Sequence, residues 1–273
     1  MNATCINEIE TPCELSKADR DHFRAQGYVK IKDLLSPETL AYYEQAITRK
    51  VFELNRTHEI PLEQRSTYDK AFLQVTNVLE HCETVRELVM SPRLGRLAAE
   101  LMGTRGVRLY HDQALYKEAG GGHTPWHADQ QYWPLASDRI CTLWLPLQAV
   151  PLEMGPLAFA PGSHRFTQGR DLEISDHSEA TLARLLPENG YGDAVEAFDL
   201  GEGSFHYGWT FHHAPPNRSG KPRHVMTVIY MDVDMRLQEP ENSRQVNDRN
   251  GWCPGIKVGD IIDSPRNPVI WEA

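Results

Sequence analysis

The sequence contains no long hydrophobic run, no Cys-x-x-Cys pair and no excess of basic residues. A membrane-spanning helix needs about 18 or more consecutive apolar residues, and no such stretch is present. The 28 Lys and Arg residues are outnumbered by 38 Asp and Glu residues, which gives a formal net charge of −10. Because nucleic-acid-binding domains are typically basic, this balance argues against a nucleic-acid partner. The lack of a long apolar stretch argues against a membrane partner.

The five cysteines are an odd number and are widely spaced along the chain. This usage favours free thiols in a reducing compartment over a framework of disulfides. Residues 1–11 lack the basic and apolar regions of a secretory signal. We therefore expect a cytoplasmic protein.

Helix signals dominate the first third of the chain. Ser16 followed by Asp19 predicts a helix start, and Gly27 predicts its end. A serine N-cap with proline at the first helical position then occurs twice. These two pairs are Ser36-Pro37, which opens a helix to about residue 54, and Ser91-Pro92, whose helix ends near Gly103.

Beyond residue 106 the pattern changes to short apolar runs separated by turn residues. Strands are predicted at residues 107–117, 140–150, 194–200, 203–211 and 224–233. Because no helices alternate with these strands, the pattern favours an antiparallel β-sandwich or barrel over βαβ units. The predicted class is α+β, with a helical N-terminal part packed against the β core.

We expect a single domain over residues 1–273. Residues 1–105 would be mainly helical, residues 106–235 would form the β core, and residues 236–273 would be a C-terminal loop segment. The polar stretches at residues 56–70 and 165–190 are predicted to contact the substrate together with the C-terminal segment, because such loops carry specificity.

A His-x-Asp motif, His127 and Asp129, is the first candidate for chemistry. In an extended segment side chains at i and i+2 lie on one face, so both could reach one metal ion. The aromatic residues Trp126, Tyr132 and Trp133 could form a pocket wall around them. The alternative is an aromatic core strand with a hydrogen-bonded histidine, and the tripeptide alone does not exclude it.

A second histidine ligand is expected about 85 residues downstream, at His212 or His213. If residues 205–213 form one strand, one face carries His206, Thr210 and His212, and the other face carries large aromatic side chains and His213. The small polar face is the one that could line a wet site, so this alternation selects His212.

Two histidines and one carboxylate leave open coordination positions, which is the arrangement of non-haem Fe(II) oxygenases. Arg223 follows, and its planar guanidinium suits a carboxylate of an organic acid. This assignment assumes that the chain turns back after residue 215 and places Arg223 beside the strand of His212. The alternative is a surface arginine paired with an acidic residue.

From about residue 15 to its end, the sequence resembles the phytanoyl-CoA dioxygenase-like family of Fe(II)/2-oxoglutarate oxygenases. The matching segments are Leu115-Tyr-Lys117, residues 124–134, Gly155-Pro-Leu, Pro161-Gly-Ser-His164, and Thr210-Phe-His212 with Asn217 and Arg223. In that family Asn and Arg follow the distal histidine at +5 and +11, as Asn217 and Arg223 follow His212 here.

The resemblance implies a double-stranded β-helix, or jelly-roll, core. It also implies Fe(II), 2-oxoglutarate and O2 as cofactor and co-substrates, with oxidative decarboxylation to succinate and CO2. Further 2-oxoglutarate contacts would come from Gln113, from His111 as second choice, and from Trp144. Several relatives carry Ser where this chain has Ala214, and Thr227 could supply the missing hydrogen bond.

The substrate is expected to be a small organic molecule, with His123, Tyr132 and Trp133 as candidate contacts. Neither an acyl-CoA nor a free metabolite is favoured, and monomer and dimer remain open. Two other functions are considered: a non-catalytic jelly-roll binding protein, and a related halogenase. In the halogenases a small residue replaces the carboxylate ligand, so Asp129 argues against that activity.

Overall fold

The computed structural model describes residues 3–273. The helices are α1 Ala3–Glu10, α2 Lys17–Gln26, α3 Pro37–Leu54, α4 Thr67–Ala71, α5 Glu83–Val89, α6 Pro92–Met102, α7 Asp176–Glu188 and α8 Ser243–Trp252. The strands are β1 Tyr28–Ile31, β2 Leu73–Thr76, β3 Gly106–Tyr116, β4 Thr124–His127, β5 Ile140–Pro146, β6 Ala158–Phe159, β7 Ala194–Val195, β8 Gly203–Tyr207, β9 His212–Ala214, β10 Val225–Asp232 and β11 Val269–Glu272.

Two antiparallel sheets form the core. The larger has the strand order β1-β8-β5-β10-β3-β11, with β2 paired to β3, and the smaller has the order β4-β9-β6-β7. From β3 to β6 and again from β8 to β10, consecutive strands alternate between the two sheets, which is how a jelly-roll chain winds. The predicted α+β class with a jelly-roll core is confirmed.

The N-terminal helices cover the larger sheet. Their apolar side chains, such as Phe23, Tyr43 and Leu97, join one buried cluster with Leu143 and Phe205 of the sheet. Burying these side chains against the strands is the main force that holds the two layers together. As a result the helices close one face of the jelly roll.

Three N-terminal helices begin and end where the sequence signals place them. Ser16 and Asp19 form a reciprocal capping box at the start of α2, and Gly27 adopts a φ of 81° at its end. Ser36 and Ser91 cap α3 and α6 by accepting the backbone N–H groups of Thr39 and Leu94, and each is followed by proline at the first helical position. The predicted strand at Tyr28–Ile31 is present and pairs with β8.

The prediction of one strand over residues 203–211 is wrong. β8 ends at Tyr207, a turn follows, and His212 begins β9 in the other sheet. Tyr207 donates its backbone N–H to Gly27, and Thr210 donates its N–H to the Tyr207 carbonyl, which closes the turn. The strand predicted at residues 194–200 is also shorter and comprises only Ala194–Val195.

The C-terminal segment contains regular structure that the sequence did not predict. Asn242 caps α8, and β11 pairs with β3 at the edge of the larger sheet. The polar composition of α8 had suggested a loop. Like α8, helix α1 was not predicted individually. Residues 1 and 2 of the N-terminal part lie outside the described residues.

None of the helices within residues 3–273 is long and apolar enough to cross a membrane.

Candidate active site

His127, Asp129 and His212 lie together at the end of the smaller sheet. His127 is the last residue of β4 and pairs in register with His212, the first residue of β9, while Asp129 follows in a 3-10 turn. One ligand atom from each side chain lies within 4.8 Å of the others. The structure therefore brings together the three side chains that the sequence analysis grouped as metal ligands.

Backbone carbonyl groups orient both imidazoles. The Nδ1 atom of His127 lies 2.7 Å from the carbonyl oxygen of Pro125, and that of His212 lies 2.9 Å from the carbonyl of Thr210. Donation from Nδ1 leaves the Nε2 lone pairs free, and these atoms lie 3.7 Å and 3.6 Å from Oδ1 of Asp129. Burial lowers the pKa of both histidines, so both are neutral near pH 7 and available as ligands.

The two carboxylate oxygens of Asp129 have different neighbours. Oδ1 faces His127 and His212, whereas Oδ2 accepts a hydrogen bond from the Thr142 hydroxyl at 3.0 Å and lies 3.3 Å from Nε2 of His206. Burial alone would raise the pKa of Asp129, but three imidazoles, His212 contributing most, outweigh it and hold this pKa below its usual range. Asp129 is therefore ionised.

His206 and Thr142 were not assigned a role from the sequence. His206 had a usable signal, since it was placed on the same polar face as His212. Thr142 had none, because it lies in an apolar strand.

His213 points away from the site, as the alternation argument required. Its ring stacks on Trp126 with centroids 4.0 Å apart, and its Nε2 lies 3.0 Å from Asp193. The sequence analysis chose His212 over His213 on the premise that residues 205–213 form one strand, and that premise is wrong. Alternation within the short strand β9 selects the same histidine.

Arg223 is an almost fully buried cation, with 2% of its surface exposed. It donates from Nη1 to the carbonyl of Gly155 and lies over the Trp144 ring at 5.3 Å. Among residues 3–273 no carboxylate acts on its pKa, and its Nε has no hydrogen-bond partner. Burial lowers its pKa to about 9, so it remains charged at neutral pH and can receive an anion.

The predicted position of Arg223 needs correction. It does not pair with the strand of His212; it forms an isolated bridge with Lys117, just before β10. β10 itself lies between β3 and β5 of the larger sheet. Arg223 and His212 still face one cavity, because that cavity lies between the two sheets.

The cavity has a volume of about 460 Å³. Besides the three candidate ligands and Arg223, its wall includes Ala214, where several relatives carry Ser. The wall also includes six residues that the sequence analysis assigned to 2-oxoglutarate or substrate: His111, Gln113, Tyr132, Trp133, Trp144 and Thr227. His123 is not among the residues that line it. Of the eleven assigned site residues, His123 is thus the one that the structure does not bring to the cavity.

Two of these wall residues are tied to neighbours. The Thr227 hydroxyl donates to the backbone carbonyl of Gln113 at 3.1 Å. Gln74, which the sequence analysis missed, donates from Nε2 to Oε1 of Gln113 at 2.5 Å. The amide group of Gln113 is thereby oriented, with its own NH2 as the remaining donor.

The cavity also has an aromatic wall, and it is lined by elements that the sequence did not reveal. Its aromatic residues are Tyr68, Phe72, Tyr132, Trp133 and Trp252. Helix α8 contributes Asp248 and Arg244, and Arg244 forms an ion pair at 3.2 Å with Glu173 of the polar stretch at residues 165–190.

A sequence comparison decides the family. The phytanoyl-CoA dioxygenase (PhyH) profile matches residues 23–225, which is most of the chain. The chain belongs to the phytanoyl-CoA dioxygenase family. It is accordingly a non-haem iron, 2-oxoglutarate-dependent oxygenase. The buried His127 and His212 with Asp129 fit an iron ion, and Arg223, on which no carboxylate acts, fits an organic acid.

Curated relatives of this PhyH-family chain are distant. A probable alpha-ketoglutarate-dependent hypophosphite dioxygenase of Stutzerimonas stutzeri is 24% identical over 77% of this chain and 76% of that protein. A methylphosphonate hydroxylase of Gimesia maris is 23% identical over 79% of this chain and 80% of its own length.

Solved structures resemble the PhyH-family chain over nearly its whole length. The non-heme alpha ketoglutarate dependent carbocyclase SnoK from nogalamycin biosynthesis is 25% identical, with a TM-score of 0.74 and coverage of 95% of this chain and 99% of that chain. The epimerase SnoN in complex with Fe3+, alpha ketoglutarate and nogalamycin RO is 23% identical, with a TM-score of 0.75 and coverage of 93% and 98%.

Proposed function

We propose that His127, Asp129 and His212 hold the Fe(II) and that Arg223 binds a carboxylate of 2-oxoglutarate. One observation carries this assignment. Two neutral histidines, His127 and His212, line the same cavity as Arg223, a buried cation on which no carboxylate acts. An isolated buried charge is costly unless something compensates it. The far carboxylate of an acid whose other end binds the metal would compensate Arg223.

Neighbouring side chains would orient the bound acid. The free NH2 of Gln113 can donate to it, and Trp144 already packs against the guanidinium of Arg223. The Thr227 hydroxyl is engaged by a backbone carbonyl, so it can only accept toward the cavity. His111 packs against Trp252 at a centroid distance of 5.0 Å, and we assign it to the substrate part of the cavity.

With iron and 2-oxoglutarate bound, the site would convert 2-oxoglutarate and O2 to succinate and CO2 and oxidise a second molecule. We assign this activity to one domain formed by the whole chain. β1 from the N-terminal part and β11 from the C-terminal part belong to the same sheet as the core strands, which supports a single domain. The five unpaired cysteines support a reducing, cytoplasmic location.

For the second molecule we propose an organic substrate larger than a phosphorus oxyanion. The relatives named for hypophosphite and methylphosphonate suggest a small anion. Among the described residues that line the cavity, however, the cations are Arg223, assigned to 2-oxoglutarate, and Arg244, which already pairs with Glu173. The remaining acidic group is Asp248, which accepts a hydrogen bond from the Tyr110 hydroxyl and whose pKa is raised to about 7 by burial.

The aromatic wall gives this substrate its expected character. A cavity of about 460 Å³ lined by several aromatic rings suits a ring-containing molecule with apolar faces. Asp248 can then form a hydrogen bond with a hydroxyl group or a basic nitrogen on that molecule, and a basic nitrogen would stabilise its ionised form.

Succinate release with a substrate panel tests the proposal. The panel contains hypophosphite, methylphosphonate, an acyl-CoA, and polycyclic phenols and ketones with and without a basic amine. We expect the polycyclic compounds to stimulate turnover more than either phosphorus oxyanion. Stronger stimulation by hypophosphite or methylphosphonate would overturn the substrate assignment, and a chain that binds no Fe(II) or 2-oxoglutarate would support the non-catalytic binding protein instead.

A further inference from the structure

His206 is the most deeply buried histidine next to the triad and belongs to none of the assigned roles. Only 1% of its surface is exposed, and its ring centroid lies 4.6 Å from that of His212. Phe159 packs against it at 5.4 Å. A polar ring held this closely beside a metal site must either bind the metal or orient a residue that does.

The proton on His206 can be placed from its surroundings. Nε2 lies 3.3 Å from the carboxylate oxygen Oδ2 of Asp129, whereas Nδ1 is buried and has no hydrogen-bond partner. A neutral imidazole carries one N–H, and a proton on Nδ1 would leave two lone pairs, on Nε2 and on Oδ2, facing each other. The hydrogen therefore belongs on Nε2, and His206 donates to Asp129.

Thr142 makes the second contact to the same oxygen. Its hydroxyl donates to Oδ2 of Asp129 at 3.0 Å, and only 3% of its surface is exposed. Thr142 on β5 and His206 on β8 are directly opposite each other in the larger sheet. The two donors thus form one cross-strand pair that faces Asp129 from the opposite sheet.

We propose that His206 and Thr142 are positioning residues that hold Oδ2 of Asp129, so that the carboxylate presents Oδ1 alone to the metal. The separation of the two oxygens supports this: Nε2 of His127 and of His212 approach Oδ1, and both donors approach Oδ2. A carboxylate held this way occupies one coordination position. The position that bidentate binding would use stays open for 2-oxoglutarate, O2 or water.

This inference rests on the assignment of the triad as metal ligands, so the experiment first tests that assignment. Wild-type protein is titrated with Mn(II), and the dissociation constant and the rise in melting temperature are measured. If the wild-type protein does not bind Mn(II), the assignment of His127, Asp129 and His212 as metal ligands is wrong. If it does bind Mn(II), the variants below test the role of His206.

Four variants separate positioning from packing. His206→Phe keeps the ring without the N–H, His206→Gln keeps an N–H donor, and Thr142→Val keeps the shape without the hydroxyl. His213→Phe is the matched control, because His213 also flanks His212 but lies outside the cavity wall. Melting temperatures without metal report the effect of each change on folding alone.

We expect His206→Phe to weaken Mn(II) binding by about 10- to 100-fold, the usual effect of losing a group that orients a ligand. Thr142→Val should weaken it by a smaller factor, His206→Gln should recover most of the affinity, and His213→Phe should match wild type. If His206→Phe does not fold, the affinity of Thr142→Val decides the matter, because that change removes one of the two donors to Oδ2 of Asp129 and keeps the side-chain shape.

Two results would overturn the proposal. One is wild-type Mn(II) affinity in folded Thr142→Val and His206→Phe proteins. The other is a visible spectrum of the Co(II)-substituted His206→Gln protein that shows the same loss of a ligand as His212→Gln. That result would make His206 a ligand itself.

Discussion

His212 and His213 are adjacent in the chain, and their rings lie in different environments. His212 lies within the triad with Nε2 3.6 Å from Asp129, while His213 stacks on Trp126 and contacts Asp193. Successive side chains of a strand point to opposite sides, so β9 gives one histidine to the cavity and the other to the outside of the smaller sheet.

His212→Ala should remove metal binding and all turnover of 2-oxoglutarate, because one of three ligands is lost. His213→Ala should retain the metal and lose at most some stability through lost packing on Trp126. An iron assay and succinate detection on the two purified variants make the comparison. Loss of iron in His213→Ala with retention in His212→Ala would reverse the assignment.

Asp129→Ala should abolish activity, since the metal loses its only anionic ligand and is held weakly. It should also leave the Thr142 hydroxyl and the His206 ring without their acceptor. Asp193→Ala removes the more exposed carboxylate that pairs with His213, outside the cavity wall, and serves as control. Near-wild-type turnover of Asp129→Ala at low iron concentration would show that Asp129 is not a ligand.

Arg223→Met should raise the requirement for 2-oxoglutarate while leaving metal binding nearly intact. Loss of a charge-assisted, bidentate contact in a confined site corresponds to about 2–4 kcal/mol, or roughly 30- to 1000-fold in affinity. Arg223→Lys should restore only part of it, because an ammonium group lacks the planar fork. The KM for 2-oxoglutarate and the melting-temperature rise on adding it measure the effect, and an unchanged KM would place the acid elsewhere.

Asp112→Asn should stabilise the protein at neutral and alkaline pH. Asp112 is fully buried and accepts the backbone N–H of Val78, and burial raises its pKa to about 7. In the unfolded chain the same group ionises near its ordinary value, so folding takes up a proton between about pH 4 and pH 7. Its contribution to stability is present at low pH and is lost as the pH rises through that window.

The asparagine variant should lack this loss. Its advantage in the free energy of unfolding should grow from about pH 4, reach up to about 4 kcal/mol near pH 7, and stay constant above it. Urea unfolding of both proteins at several pH values measures the difference. A difference that does not vary with pH would show that Asp112 titrates normally in the folded protein.

Local signals predicted much of the N-terminal part. The capping box of Ser16 and the left-handed Gly27 involve hydrogen bonds between residues at most four positions apart, so the sequence carries all the information needed. The same holds for Pro37–Leu54, whose cap and proline are local. Helix α8 was missed because its polar residues give no clear apolar stripe, and its place is decided by contact with the rest of the chain.

The sequence by itself determined which side chains could do the chemistry: the His127-x-Asp129 pair, a histidine at 212 or 213, and Arg223. Only the tertiary structure decided how they are held. It placed Arg223 opposite Lys117, made α8 a wall of the cavity, and set His206 on Asp129, 77 residues away. These contacts join segments that are far apart in the sequence, and their geometry depends on how the jelly roll closes, which no local pattern records.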